Sequence, residues 1–362
     1  MSLELKGVSL SVDGETHIYE TSIALQPTGF NILLGTTLAG KTSLMRLMAG
    51  LVEPTSGEIW FNGQNVTGVP VQKRNVSMVY QQFINYPNFN VFDNIASPLK
   101  LAGLKADEIK KRVEPVADLL RLGPFLSRKP AELSGGQQQR CAMARALVKD
   151  SDLVLLDEPL ANLDYKLREE LREELPKLFS ARERTVVYAT TEPSEALLLD
   201  GYTASMYEGR VTQYGPTGDI YRSPRDALTA GVFSDPPMNL VGVKKEGGQF
   251  RLPDGASWQI PAGYKNVPDG DYQFGVRSHH VRPHYSASSA DVHAVHGSVQ
   301  VAEIAGSESI VHFDMLGQPW VSIDHGVHDY SVGQKATFSV EMEHSMLFSL
   351  GGDLVATPGQ GL

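Results

Sequence analysis

The sequence predicts an α/β fold followed by a small all-β domain, and three observations carry that prediction. Two short apolar runs flanked by polar turns, "DLVLLDE" and "TVVYATT", have the look of parallel strands buried on both faces. Helical spacing lies between such runs: Leu44, Leu47, Met48 and Leu51 in one stretch, Leu167, Leu171, Leu175 and Leu178 in another. Beyond "SDPPMNL" (Ser234–Leu240) the character changes to short alternating segments, "VQV", "VHFDM" and "ATFSVEM", punctuated by Gly and Pro. That pattern fits a sandwich or a barrel.

The elements follow in order. "MSLELKGVSLSV" alternates like a strand and lacks the layout of a secretory leader. "FNILLG" (Phe30–Gly35) reads as a buried strand with an amphipathic helix after it. Residues 104–122 are helical and charged, with an interruption expected at Pro115, and Pro176 is expected to kink the helix marked by Leu167–Leu178. "YTASMYEGRVTQYG" reads as a hairpin turning at Glu208-Gly209. Pro236-Pro237 looks like a linker, which puts one domain at 1–235, with a helical subdomain at about 85–150, and a second at 236–362.

Composition narrows the class. Lys+Arg is 32 and Asp+Glu is 42, a formal charge of −10, which argues against a general nucleic-acid binder; no nucleic-acid partner is expected. A single cysteine, Cys141, excludes an internal disulfide framework and suits a reducing compartment. No apolar run approaches the ~18 residues of a membrane span, so membrane association is expected through a partner.

Three motifs carry chemistry. "GTTLAGKTS" (Gly35, Thr36, Thr37, Leu38, Ala39, Gly40, Lys41, Thr42, Ser43) fits G-x-x-x-x-G-K-[ST] between a strand and a helix. Backbone N–H groups at the helix start favour a phosphate, Lys41 reaches the β/γ-phosphates, and the Thr42 hydroxyl suits Mg²⁺. "LVLLDEP" (Leu153–Pro159) ends a buried strand on an acidic pair. Asp157 suits the Mg²⁺ shell and Glu158 suits polarising a water; a helix N-cap is the alternative for the pair. "LSGGQQQR" (Leu133–Arg140) lets Ser134 cap a helix whose first residues are glycines, either a second anion site or simply a capped helix.

Together, Gly35–Ser43, "LSGGQQQR" and "LLDEPLANLD" resemble the nucleotide-binding subunit of ATP-binding-cassette transporters. The resemblance covers residues 3 to about 235. It continues through "PPMNL" and "FGVRSHHV" into the OB-like regulatory β domain of sugar-type importers. It implies ATP and Mg²⁺ as cofactors, ATP hydrolysis, and a place on the cytoplasmic face of the membrane. The implied partners are a second ATPase subunit, two integral-membrane permease subunits and, indirectly, a substrate-binding protein. The β domain implies a carbohydrate or polyol, with glycerol as the specific expectation. Gln81, in "VYQQFINYP", matches the glutamine loop that senses Mg²⁺ and contacts the permease. Ser134, Gly135, Gly136 and Gln137 match the signature, and Asp164 in "LANLD" matches the loop that crosses the dimer interface. In that family each ATP lies between one subunit's phosphate loop and the other's signature. Phe83, Tyr86, Phe89 and Phe92 follow Gln81 as core or as part of a permease-docking groove.

The chain departs from the family in three places. Thr191 stands where the family has a histidine that holds the γ-phosphate and the attacking water. A hydroxyl is shorter than imidazole and never carries positive charge. A site that binds ATP and hydrolyses it poorly, in a dimer with a different ATPase chain, is the expectation; a homodimer with slow turnover is the alternative. Leu38 replaces a glycine of the phosphate loop. No aromatic stands at the usual adenine-stacking place near Val12 or Asp13, where Tyr19 is the nearest substitute.

Nine of the ten histidines lie between 279 and 344. His279, His280, His284, His293 and His296 show no recognised ligand spacing and read as surface or loop residues. A soluble cassette ATPase of the repair or translation kind and a structural pseudo-enzyme compete with the transporter reading. The acidic charge and the β tail argue against the former, and nucleotide turnover by the isolated chain separates the latter.

Overall fold

The structure is a computed structural model that describes residues 2–161, 163–180, 184–283 and 292–358. The chain falls into two compact units, Met1–Gly218 and Asp219–Leu362.

The first unit opens with β1 (Leu3–Val12) and β2 (Glu15–Ala24), an antiparallel pair. After β3 (Gly29–Leu34) and α1 (Lys41–Ala49), β4 (Ser56–Phe61) and β5 (Gln64–Asn65) complete an antiparallel sheet of order β2-β1-β4-β5. The other sheet is built on β3. It takes in β6 (Val76–Val79), β7 (Leu153–Asp157), β8 (Thr185–Thr190), β9 (Tyr202–Tyr207) and β10 (Arg210–Pro216), in the order β10-β9-β3-β8-β7-β6. Every pair in it is parallel except β9 with β10. Each residue of β7 and β8 is buried, which is why these runs are continuously apolar rather than alternating. The β9–β10 hairpin turns on Glu208 (φ 44°) and Gly209 (φ 76°), two consecutive positive φ values that match the twist of the strands.

Between β6 and β7 run α2 (Val91–Leu101), α3 (Ala106–Leu119) and α4 (Gly135–Val148). Asn90 caps α2 by accepting from Asp93 N at 2.7 Å. The fully buried Asn94 donates to the carbonyls of Tyr86 and Phe89 and accepts from Tyr86 N at 2.8 Å, which pins the aromatic loop ahead of α2. α3 is not interrupted at Pro115: it runs through the proline to Leu119. Pro115 and Lys111, whose carbonyl loses its helical donor, are both exposed, so water can replace that bond. α5 (Tyr165–Ser180) likewise continues through Pro176 as one element. After β8, α6 (Pro193–Leu199) leads to β9. Cys141 is fully buried in α4, and burial pushes its thiol up to about 11. Among the described residues no helix is long and apolar enough to cross a membrane.

α7 (Thr217–Arg222) spans the boundary, and α8 (Ala227–Val232) opens the second unit. β11 (Asn239–Glu246), β12 (Gln249–Arg251), β13 (Ser257–Gln259) and β14 (Gly270–Val276) belong to one antiparallel sheet. β15 (Val281–Pro283), β16 (Val292–Ala305), β17 (Glu308–Met315), β18 (Gln318–His325) and β19 (Lys335–Glu341) form another, and β20 (Met346–Phe348) and β21 (Leu354–Ala356) return to the first. The orders are β13-β12-β11-β14-β20-β21 and β15-β19-β16-β17-β18. Phe250, Trp258 and Phe274 from one sheet and Phe313, Trp320 and Phe338 from the other share a single core. β17 alternates half-buried with buried along its length, the period of a strand with one face inward.

Candidate functional site

The functional groups of the first unit gather at the carboxyl ends of β3, β8 and β7, adjacent strands of one parallel sheet. That edge is where ligands bind in open α/β sheets. β8 holds the site together from the middle: Gly35 N donates to Thr190 O at 3.3 Å, and Glu158 N donates to Ala189 O at 3.0 Å.

The loop leaving β3 wraps the start of α1 and is tightly packed beneath. A Cβ at Gly35 would lie 2.5 Å from the Met206 carbonyl oxygen and 2.8 Å from the Ala39 Cβ. Gly35→Ala is therefore expected to destabilise the chain by about 1–3 kcal/mol through overpacking. A lower denaturant midpoint checks this, and an unchanged midpoint refutes it. Leu38 holds a left-handed backbone (φ 68°), the conformation that favours glycine, and is 93% exposed, an apolar side chain at the tip of the loop.

Lys41 is buried, and its ammonium donates to the carbonyls of Gly35 (2.8 Å) and Thr36 (3.0 Å) and pairs with Glu158 Oε1 at 3.3 Å. Burial lowers its pKa, and Glu158 opposes the shift. The Thr42 hydroxyl donates to Asp157 Oδ2 at 2.7 Å. Asp157 is 1% exposed, and its Oδ1 is buried with no hydrogen-bond partner. Burial raises its pKa, against the Thr42 bond that lowers it. Such an orphaned oxygen is costly without a cation or a water, and beside a hydroxyl it fits a hard divalent ion. Gln81 Nε2 donates to Glu158 Oε2 at 2.9 Å, so Glu158 ties Lys41 to Gln81.

The helix-cap alternative for the acidic pair does not survive. Glu158 has φ 47° and starts a turn, and the next helix begins at Tyr165. A non-glycine residue held at positive φ is strained, and here the strain aims its carboxylate into the cleft.

That cleft, about 570 Å³, is lined by Thr37–Ser43, Gln81 and Glu158. Its far wall is Tyr19 with Arg210, whose guanidinium lies 3.5 Å from the ring centroid, together with Glu208. Arg210 and Glu208 had no signal in the sequence, because the β9–β10 hairpin is remote in the chain from both β2 and the phosphate loop. Asp13 instead occupies a turn with φ 51°, and Val12 is outside the lining.

Thr191 does not line the cleft; it is exposed just beyond β8. The residues around it are firmly held. Thr190 Oγ1 and the Tyr188 hydroxyl both donate to Glu195 Oε2, at 2.7 and 3.0 Å. Glu192 pairs with Arg168 (2.9 Å) and Arg172 (2.7 Å) of α5. Asp164 precedes α5, and its Oδ1 accepts from Leu167 N at 3.0 Å. Arg168 also donates to Ala161 O at 3.2 Å, so the segment after β8 and the loop before α5 share one charged network.

Ser134–Gln137 also lie outside the cleft. Ser134 Oγ accepts from Gln137 N at 3.4 Å and Gln137 Oε1 accepts from Ser134 N at 3.0 Å, a reciprocal cap at the start of α4. Of the aromatic cluster, Phe83 and Phe92 are half-buried, whereas Tyr86 and Phe89 are exposed and meet edge to face at 5.5 Å. Tyr86 lies under Arg145 and beside a groove of about 230 Å³ lined also by Pro98, Leu101 and Ala146.

In the second unit His293 stacks on Trp258 and His296 faces Thr337, while His284 lies outside the described residues.

The ABC transporter family profile matches residues 19–161. The sn-glycerol-3-phosphate import ATP-binding protein UgpC of Yersinia enterocolitica is 35% identical over 87% of this chain and 88% of its own. That of Burkholderia thailandensis is 34% identical over 100% and 96%. The maltose/maltodextrin import ATP-binding protein MalK of Yersinia pestis is 37% identical over 79% and 78%. Among solved structures, a dimeric post-hydrolysis state of an ATP-binding cassette bound to ADP and Pi is similar with a TM-score of 0.55 at 26% identity. It covers 59% of this chain and 98% of that one.

Proposed function

The chain belongs to the ATP-hydrolysing subunits of ABC importers, and on that premise we propose that it drives uptake of a carbohydrate or polyol derivative, with glycerol 3-phosphate as the specific substrate class. The observation that carries the reading is the cleft in which Glu158 joins Lys41 to Gln81 beside the orphaned Asp157 oxygen. Residues 1–235 act as the nucleotide-binding domain and 236–362 as the regulatory domain.

ATP enters with its phosphates on the Gly35–Ser43 loop, where they take over the ammonium of Lys41 from Glu158. The base meets the Tyr19–Arg210 pair. Thr42, Gln81 and, through its free oxygen, Asp157 would hold Mg²⁺, which would supply charge neutralisation at the phosphates. Glu158, released from Lys41, polarises the attacking water. Ser134–Gln137 and Asp164, which stand clear of this cleft, serve the nucleotide of a partner subunit. The groove beside Tyr86 docks a permease, placing the chain peripherally on the cytoplasmic face. Uptake of labelled glycerol 3-phosphate and of maltose into vesicles holding the assembled transporter tests the substrate; transport of neither overturns it.

The partner is a different ATPase chain, because Thr191 leaves this site without an imidazole. Thr191→His is expected to raise turnover at this chain's own site by about tenfold or more, restoring a transition-state donor. Unchanged turnover in a complex whose partner chain carries a disabled phosphate loop would show that the threonine suffices and would favour a homodimer.

A further inference from the structure

We propose that the second unit carries a binding site for a divalent transition metal, formed by His280, Glu341 and His344. Strand register builds it. β15 and β19 pair antiparallel with Val281 opposite Val340, which sets His280 beside Glu341. A one-turn 3₁₀ helix, Met342–His344, then folds the chain back so that His344 stacks on His280 at a centroid distance of 3.9 Å. Three residues 61 and 3 positions apart thereby face one another.

Their donor atoms converge. Each residue offers one ligand atom, and the three lie within 4.8 Å of one another. His280 Nδ1 is 2.9 Å from Glu341 Oε2, and His344 Nε2 is 3.9 Å from the same oxygen. Those separations bracket the roughly 3.4 Å edge of a tetrahedron with metal–ligand bonds near 2.1 Å. The two rings now stack at 17° to one another, so closing on one ion requires an imidazole to turn until its lone pair meets the other donors.

The surroundings favour a metal over the proton that now bridges His280 and Glu341. The other carboxylate oxygen accepts from Arg282 Nε at 2.8 Å, which orients Glu341 and leaves Oε2 for the ion, as ligating carboxylates commonly are held. A cavity of about 270 Å³ adjoins both imidazoles and leaves room for a fourth ligand. Glu343, which lines it, already has Oε1 3.6 Å from His344 Nε2. The cavity also holds Arg277, whose guanidinium donates to Tyr221 O and covers the Tyr221 ring. That positive charge opposes any cation there, so affinity must come from the imidazole and carboxylate donors rather than from net charge. Two imidazoles and one carboxylate select a borderline ion such as Zn²⁺, Co²⁺ or Ni²⁺ instead of Mg²⁺ or Ca²⁺.

The test uses the full chain, stripped with a chelator and titrated with Zn²⁺ against a chromophoric competitor. One equivalent is expected to bind at low micromolar concentration or tighter, and His344→Ala is expected to weaken that binding on the order of 100-fold. His344 is half-exposed, so this variant should stay folded; Glu341→Gln provides a second that keeps the shape of the side chain. Weak binding by the remaining histidines is common to wild type and variants and cancels. Co²⁺ should give a visible d–d absorption in the wild type that His344→Ala lacks. Equal Zn²⁺ affinity in wild type and both folded variants, or no wild-type binding below about 100 μM, overturns the assignment.

Discussion

Lys41→Ala is expected to lower nucleotide affinity by roughly tenfold to 150-fold, the equivalent of about 1.5–3 kcal/mol for a charge-assisted contact. The ammonium sits on the Gly35 and Thr36 carbonyls and faces Glu158, in the position a phosphate oxygen would replace the carboxylate. Because Lys41 is buried, truncation also leaves a void beneath the loop. Lys41→Met fills that void without the charge and separates the two effects. Titration of a fluorescent ATP analogue is the measurement. If both variants bind as tightly as the wild type while remaining folded, the phosphate assignment fails.

The second large effect is an inequality between two substitutions in the assembled transporter. Altering the signature, by Ser134→Ala or Gly135→Ala, is expected to remove most of the ATPase activity, a loss of about 10²–10³ corresponding to roughly 2.7–4 kcal/mol. Glu158→Gln is expected to slow it only modestly. The expectation rests on the proposed heterodimer: there the composite site built on this chain's phosphate loop would lack an imidazole at Thr191, whereas the site borrowing Ser134–Gln137 would use the partner's residues. A methyl at Gly135 would meet Phe83 at 4.0 Å, so the chain itself tolerates it, and on the proposed assembly its effect is expected at the neighbouring nucleotide. Steady-state hydrolysis by each reconstituted variant decides. Equal damage from Glu158→Gln would make the two sites equivalent, and a homodimer would then be the simpler assembly.

What could be read in the sequence was what is locally encoded. The phosphate loop, the Ser134 cap and the Glu208-Gly209 turn each depend on residues within a few positions, so spacing reveals them. The buried strands β7 and β8 declared themselves by unbroken apolar runs. Proline was a poorer guide: Pro115 breaks the rule for helix interiors because it sits on a solvated face where one carbonyl can be rehydrated. Gln81 came from resemblance alone, and its bond to Glu158, 77 positions away, had no signal in the sequence because no local pattern encodes it. The Tyr19–Arg210 wall and the His280–Glu341–His344 group are products of strand pairing. A ligand-spacing search could not find the latter, because its members are brought together by register across a sheet.

The lone cysteine has a practical corollary. Cys141 is sealed in α4, with its thiol held protonated far above neutrality, and thiolate is the form that alkylating reagents attack. The native chain is therefore a silent background for maleimide chemistry. A cysteine placed at an exposed position such as Val332 can carry a fluorophore or spin label by itself, and this chain can be followed through the ATP cycle without first building a cysteine-free variant of it.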